Sequence, residues 1–519
     1  MWNLIRKELL ENLLTLRLGV ALVFSVLLAV MATLIGSIDF STNYDAYENE
    51  AANLRDERDK ATVYQQVNAS VMVPPMPLSI LSRGTVVTSG QGVFFGIDYI
   101  PISSWSLSDA GSRLMKVLVQ IDFTTVVALL LSFLAVVLGF DGICGERQNG
   151  TLKEVLSNPV PRAYIVFAKL VGGIVSLWVP FTLAFIVSLL IMLANPDLHF
   201  DADDWIRLGV LFFLSCLFLG QVFALSLMVS SLTRDPSTSL IICLFAWIVA
   251  GIGYVSFLPS ISRYGVDEPP AVVWRDQIDG LRKELREHME EWESRHPGPG
   301  EAYLKRIARN GRVRYAHPEG YRWLQKRTAE KLNKRLENAD RGYEFQWANW
   351  KPLAREARLV DDWAILSPVT NYQVLAYQLA RTSLSDRLRF GRLGREYRQT
   401  FISYLRGKGA FSSRRWFSDD PDDQEPMIPN PDEVSDEMLA ADSPFMQARM
   451  AWAEAQEKLA VNDDRRQLDL TDMPKFGGRW KRSLGESIDV MTPGLAVLIL
   501  TFAASVMVTL MRFLTYDPR

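Results

Sequence analysis

The stretch of this chain with the most chemical content is Asp141–Lys169, DGICGERQNGTLKEVLSNPVPRAYIVFAK. It reads as a short capped helix between two long apolar runs. Thr151 is placed to cap a first turn, and Glu154 completes a Thr-x-x-Glu capping box. Leu152, Val155 and Leu156 give a small apolar face. Asn158-Pro159 stops the helix, because proline lacks the amide donor and clashes with the turn before it. Pro161 stiffens the exit, and Glu146 and Arg147 place charge just ahead of the helix. The chemistry such a segment can do is non-covalent: a small apolar face flanked by charge suits a groove on a partner. An ordinary amphipathic connector has the same composition.

Patterns for covalent chemistry are missing from the sequence. A phosphate-cradling loop reads GxxxxGK[ST], with backbone amides and a lysine on the phosphates. The Gly-containing strings Gly90–Gly96 and Gly391–Gly394 lack the lysine and the hydroxyl. His288, His296 and His317 show no HExxH or comparable metal-ligand spacing. The three cysteines, Cys144, Cys216 and Cys243, lie in or beside apolar runs, which argues against a disulfide framework and a cysteine metal site. The sequence therefore implies no metal and no cofactor on this chain.

The elements that must carry the loop follow from hydropathy. The 519 residues divide sharply. Between Pro259 and Ile488 there are 39 Lys+Arg and 37 Asp+Glu, whereas elsewhere charges are sparse and apolar runs dominate. A chain split this way is part lipid-embedded and part water-soluble. The polar part mixes both signs, which excludes the clustered basic surface that nucleic acid needs. Six runs reach the ~20 apolar residues of a spanning helix. They are Leu16–Ile38, Val117–Phe140, Tyr164–Ala194, Trp205–Ser230, Ser239–Leu258 and Asp489–Leu510. The first is longer than a signal h-region and no cleavage site follows, so it reads as a retained span.

Basic residues in short flanking loops set the orientation. Arg6, Lys7 and Arg17, then Arg147, Lys153, Arg162 and Lys169, then Arg234, then Arg512 and Arg519 fall on one side of a six-span bundle. That side is the cytoplasm, so both termini are cytoplasmic in a multi-pass protein of the inner (cytoplasmic) membrane. The expected fold is an all-α integral membrane protein of six transmembrane helices. An N-terminal interfacial helix, a mostly helical external domain and a smaller α+β external insertion complete it. By segment, 1–38 holds the interfacial helix and the first span, and 39–116 is the smaller external domain. Residues 117–258 hold spans two to five, with the docking helix at 145–162. Residues 259–488 form the large external (periplasmic) domain, and 489–519 the last span and its tail.

Within that plan, Trp2, Ile5, Leu9, Leu13 and Leu16 form one stripe of an interfacial helix, with Lys7, Glu8 and Glu11 away from it. Tyr44–Gln66 reads as a charged helix, Val86–Phe95 as strand and turn, and Asp419–Pro431 as a loop. Val272–Arg295, Tyr321–Arg358 and Pro444–Val461 read as helices, the last capped by Ser443.

The loop string G-E-R-x-x-G-T-L-x-x-x-L-S-x-P-x-x-R after a second span resembles the ABC-2-type permease family. The resemblance implies a coupling helix that contacts a nucleotide-binding subunit. Position by position it implies that role for Gly145, Glu146, Arg147, Gly150, Thr151, Leu152, Leu156, Ser157, Pro159 and Arg162. Pro75–Gly84, Leu366–Thr382 and Asp469–Phe476 resemble a large-external-domain branch related to gliding-motility and copper-processing permeases. It further implies a separate ABC ATPase that holds the ATP and Mg, and pairing with a second permease copy or a related permease. The chain would be a transporter subunit, not an enzyme, with membrane lipid around it. A rival reading is a mechanotransmission subunit acting on an extracytoplasmic protein without translocation. The topology is testable by thiol labelling in intact cells. A cysteine introduced at Ser412 is expected to react with an impermeant reagent and one at Ser157 is not; the opposite pattern would invert the assignment.

Overall fold

Hydrocarbon offers no partner for a backbone amide or carbonyl, so an apolar run that crosses it folds as helix. In the computed structural model, six helices among the described residues are long and apolar enough to cross a membrane, and they fall on the six predicted runs. The structure describes residues 2–67, 69–71, 73–84, 93–95, 122–152, 154, 160–254, 257, 271–300, 306–309, 312–315, 318–419, 435–438, 440, 442–462 and 467–516.

Helix α1 (Trp2–Leu13) is separated from α2 (Leu16–Asp59) by a short break. There the Thr15 hydroxyl accepts the Leu18 amide at 3.4 Å. The sequence predicts an end to the first span at Ile38 and a new helix from Tyr44. Instead α2 continues unbroken for 44 residues, about 66 Å at 1.5 Å per residue. No proline or glycine lies between Ile38 and Asp59 to stop it. The second span is α3 (Phe123–Asn149), wound as π-helix over Val126–Leu131. Its start is capped by Asp122, whose carboxylate accepts the amides of Thr125 (2.7 Å) and Arg83 (2.9 Å). The part of the second predicted span before residue 122 lies outside the described residues. Spans α4 (Arg162–Leu193), α5 (Ala202–Leu232), α6 (Pro236–Gly253) and, last in the chain, α12 (Leu484–Leu514) complete the bundle. Asp201, Asp235 and Ser483 cap α5, α6 and α12.

The large polar segment supplies α7 (Ala271–Arg295), α8 (Pro318–Ala364), α9 (Pro368–Leu379), α10 (Leu384–Gly407) and α11 (Pro444–Asn462). The three predicted helices match α7, α8 and α11, and Ser443 caps α11 by accepting the Met446 amide at 3.1 Å. Helices α7 and α8 pair side by side. Glu284–Arg341 (2.5 Å), Glu293–Arg327 (2.5 Å) and the amide of Asn338 donated to the Leu281 carbonyl (2.8 Å) join them. Arg398 of α10, fully buried, reaches Asp340 at 2.5 Å and lies 4.7 Å over the Tyr343 ring.

The expected α+β insertion is not supported. Helix α2 takes up much of that segment, and its sheet among the described residues is three pairs long, β1 (Ala69–Val71) against β2 (Val93–Phe95). A second hairpin, β3 (Arg306–Arg309) against β4 (Arg312–Tyr315), lies between α7 and α8. The predicted strand over 86–95 is described at 93–95 alone, and most of the predicted loop 419–431 lies outside the described residues.

The uncharged stretch Leu366–Ala380 leaves the polar helices and seats α9 among the spans. The Tyr372 hydroxyl bonds Ser215 Oγ of α5 at 2.8 Å, and its ring stacks on Phe218 at 4.4 Å. Asn371 donates to the Gly494 carbonyl of α12 (2.9 Å), and Ser367 to the Ala250 carbonyl of α6 (2.7 Å). The Pro75–Gly84 stretch packs against α2 and against the end of α9. Gly36 is needed on α2, because a Cβ there would come within 2.6 Å of the Ile80 carbonyl. Gly84 has φ +53 and would drive a Cβ into the Thr382 carbonyl, so glycine is required on both counts.

Where α8 meets α9, Asp361 accepts the Gln378 amide at 3.2 Å. Burial, then the neighbouring Asp362 charge, push the Asp361 carboxyl up to about 6. A carboxyl raised on folding favours the fold while protonated. Its contribution is present below pH of about 4 and is lost as pH rises through about 6. Asp361→Asn is therefore expected to raise the thermal unfolding temperature of the purified chain at pH 8. At pH 4 it should leave that temperature unchanged.

Candidate functional site

The Asp141–Lys169 segment and both ends of the chain come together at one end of the bundle. Its entry is pinned by hydroxyls. Ser230 Oγ accepts the amides of Ile143 (3.0 Å) and Cys144 (3.1 Å), and Ser239 donates to the Phe140 carbonyl (2.7 Å). The last turns of α3, Cys144–Asn149, follow and end on Gly150 in the left-handed region, φ +75. Only glycine takes that conformation without strain.

Glu146, Arg147, Arg162 and Lys169 all find partners within the chain. Lys169 of α4, its side chain 5% exposed, lies between two carboxylates: Glu146 at 2.7 Å and Glu8 of α1 at 3.1 Å. This contact needs α1 pressed on α4. Gly172 permits it, since a Cβ there would come within 2.8 Å of Glu8 Cβ. Arg147 donates to the Thr233 carbonyl (2.8 Å) and stacks 4.7 Å over the Tyr516 ring. Arg162 donates to the carbonyls of Leu514 (2.9 Å) and Tyr516 (2.8 Å). One loop is thus tied to α1, α4, the α5–α6 turn and the end of α12.

Two expectations change. Leu152, expected on an apolar face offered to a partner, is 1% exposed and belongs to the main core of this chain. Leucine at that place is drawn into the nearest apolar interior, which here is the bundle itself. Glu8, expected away from the apolar stripe of α1, faces α4, where Lys169 pairs with it. The Thr151 hydroxyl donates to the Glu146 carbonyl (3.4 Å), behind it in the chain. Gln148, Asn149, Gly150 and Thr151 are the exposed face of the segment. Gly145 would admit a Cβ, with nothing nearer than 3.4 Å. Val155, Leu156, Ser157 and Pro159 lie outside the described residues.

The opposite end holds a second charged cluster that hydropathy did not reveal. Arg207 of α5 is fully buried. It pairs with Asp203 (2.7 Å) and donates to the carbonyls of Leu379 (2.8 Å) and Arg482 (2.8 Å) and to Ser487 Oγ (2.9 Å). Arg381 joins it through Asp203, through Asp204 (3.5 Å) and through the Arg482 carbonyl (2.9 Å). Burial and the neighbouring Arg207 charge lower the Arg381 pKa from its ordinary value. Asp201, Asp203 and Asp204 are close enough to share an ion, but the arginines already occupy the last two. The visible sequence signal was an Asp-x-x-x-Arg pair in the first turns of a span, a spacing that puts both on one helix face.

Residues 2–405 match the family model described as ABC-2 family transporter protein. No curated protein matches the chain.

The Lys169 clamp is testable by separating the pair from its members. Lys169→Met leaves two half-buried carboxylates without their shared cation, and losing one partner of a fully buried pair costs about 3 kcal/mol or more, an upper bound here. A clear fall in the thermal unfolding temperature of the purified chain is expected. The triple change Glu8→Gln, Lys169→Met, Glu146→Gln should recover most of it. Equal stability of Lys169→Met and the native chain would show that the clamp does not hold this end.

Proposed function

The chain belongs to the ABC-2 family of transporter proteins, and on that premise we propose that it is the membrane-spanning permease subunit of an ABC exporter. ATP hydrolysis then takes place on a separate ATPase polypeptide, with ATP and Mg bound there. Two permeases, either copies of this chain or this chain and a relative, frame the substrate path. Both termini face the cytoplasm in the inner membrane, as the basic short loops require.

The observation that carries this reading is the four-way tie of the Asp141–Lys169 loop. A force applied at its exposed Gln148–Thr151 face reaches α1 and α4 through Lys169. It reaches α5 and α12 through Arg147 and Arg162. An ATPase seated on that face has a lever on both sides of the bundle. On this reading the ATPase docks on the exposed Gln148–Thr151 residues rather than on Leu152.

A second reading, mechanotransmission to an extracytoplasmic protein, is favoured by α2. That helix runs without interruption from the bundle into the polar part of the chain, so motion of the first span is motion of the external domain. Flux in vesicles holding the complete complex separates the two. Export predicts ATP-dependent movement of substrate. ATPase activity without flux, gated by an external protein, supports transmission.

The docking face is tested by bulk. Gln148→Trp and Thr151→Trp alter exposed side chains and should leave insertion and unfolding temperature unchanged. Co-purification of the ATPase subunit is expected to be lost. Retention of the ATPase at native stoichiometry and rate in both variants would overturn the assignment.

A further inference from the structure

A cleft of about 260 Å³ opens between the outward extension of α2 and the segment that leads into α12. One wall is helical: Tyr47, Ala51, Leu54, Arg55 and Arg58 recur at helical spacing on one face of α2. The other is Tyr397 of α10 with Met473, Lys475 and Phe476. These last three belong to Asp469–Phe476, a stretch the permease reading leaves without a role.

That second wall is preformed. The Leu468 amide donates to the Ala61 carbonyl (2.9 Å), tying the segment to the end of α2. Asp472 is held by the Tyr404 hydroxyl (2.8 Å) and Lys408 (2.9 Å). The Tyr397 hydroxyl donates to the Pro474 carbonyl (2.9 Å), and its ring meets Phe476 edge-on at 5.5 Å. Asp469 is engaged by Thr471. All of this fixes the backbone around Lys475 without using its ammonium group.

The charge is unbalanced in one direction. Arg58 is paired with Asp59 (3.1 Å), and Asp56 with Lys60 (2.7 Å). Arg55 and Lys475 make no ion pair among the described residues. Glu57 is the one carboxylate in the lining. Arg55 and Lys475, both exposed, therefore line a mostly polar cleft beside the Leu54, Tyr397 and Phe476 side chains. Ligand sites commonly combine an apolar lining with a few convergent polar groups that fix orientation.

We propose that this cleft binds a singly charged organic anion with a ring-sized apolar body. The anion sits on Arg55 and Lys475, and the body lies between Leu54, Tyr397 and Phe476. Glu57 disfavours a second negative charge on the ligand. Both walls lead directly to spans, α2 on one side and α12, eight residues past Phe476, on the other. Occupancy therefore bridges the first and last spans outside the membrane. The proposal is independent of the ATPase, and its test uses this chain alone.

The test uses the full chain in nanodiscs of neutral phosphatidylcholine, with 4-phenylbutyrate and 4-phenylbutylammonium as matched probes. Saturation-transfer NMR is read against empty nanodiscs. Binding of the anion and not of the cation is expected. Lys475→Glu should weaken the anion about tenfold or more, the loss of one charge-assisted contact, while Lys475→Arg keeps it. Ala51→Trp, which fills the cleft and leaves every charge in place, should abolish it. Equal binding of the two probes, an unchanged affinity in Lys475→Glu, or no signal above empty nanodiscs would each overturn the proposal. Thermal unfolding of each variant identifies a misfolded one; should Ala51→Trp misfold, the Lys475 pair decides.

Discussion

A charge near hydrocarbon must be paired within the protein, because removing it from water otherwise costs several kcal/mol. The two ends of this bundle are organised by that requirement. At one end Lys169 is shared by Glu8 and Glu146; at the other Arg207 is enclosed by Asp203, two carbonyls and Ser487. Each buried cation collects partners from elements distant in sequence. Pairing therefore decides which helices meet, while the apolar surfaces between only require that helices meet somewhere.

The bundle was legible because its signal is long and coarse. Twenty apolar residues in a row have few alternatives, and six such runs became six helices. The boundaries were less legible. The helix of the first span did not end at Ile38, since leaving the apolar region changes a helix's solvent and gives the backbone no reason to stop. Leu366–Ala380 showed its destination only by lacking charge, a negative signal that a buried soluble helix would share. Leu152 was misjudged because a leucine in a short amphipathic helix has the same pattern whether its groove belongs to a partner or to its own chain. Glu8 and Arg207 were missed for the converse reason: a lone charge reads as exposed until its partner, here 161 residues away for Glu8, is known.

Polar contacts within the bundle divide the helices into two sets. Helices α2 and α4 are zipped by Thr33–Ser188 (2.9 Å) and by Asn195 against Ser37 (2.8 Å) and Ser41 (3.0 Å). Helix α1 joins them through Glu8 and Lys169. Helices α5, α9 and α12 are joined by Ser215–Tyr372, Gln221–Thr501 and Arg207–Ser487. Across the boundary, apart from the Arg162 bonds to Leu514 and Tyr516 and the Trp178 bond to the Cys216 carbonyl, the contacts are largely apolar, among them the Phe181–Phe212 and Phe185–Phe212 ring pairs at 5.3 and 5.2 Å. Apolar surfaces slide at less cost than hydrogen-bonded ones, which lose defined partners in low dielectric.

The Asp141–Lys169 segment crosses that boundary. Glu146 holds the first set through Lys169, while Arg147 and Arg162 hold the second through Thr233, Leu514 and Tyr516. These ties are short and directional, so the segment is bonded to both sets at once. At the far end each set continues into the polar part of the chain, one through α2 and the other through α9 and the start of α12. A tilt of one set against the other is therefore carried outward to both walls of the Arg55–Lys475 cleft, which the Leu468–Ala61 hydrogen bond holds together at the end of α2.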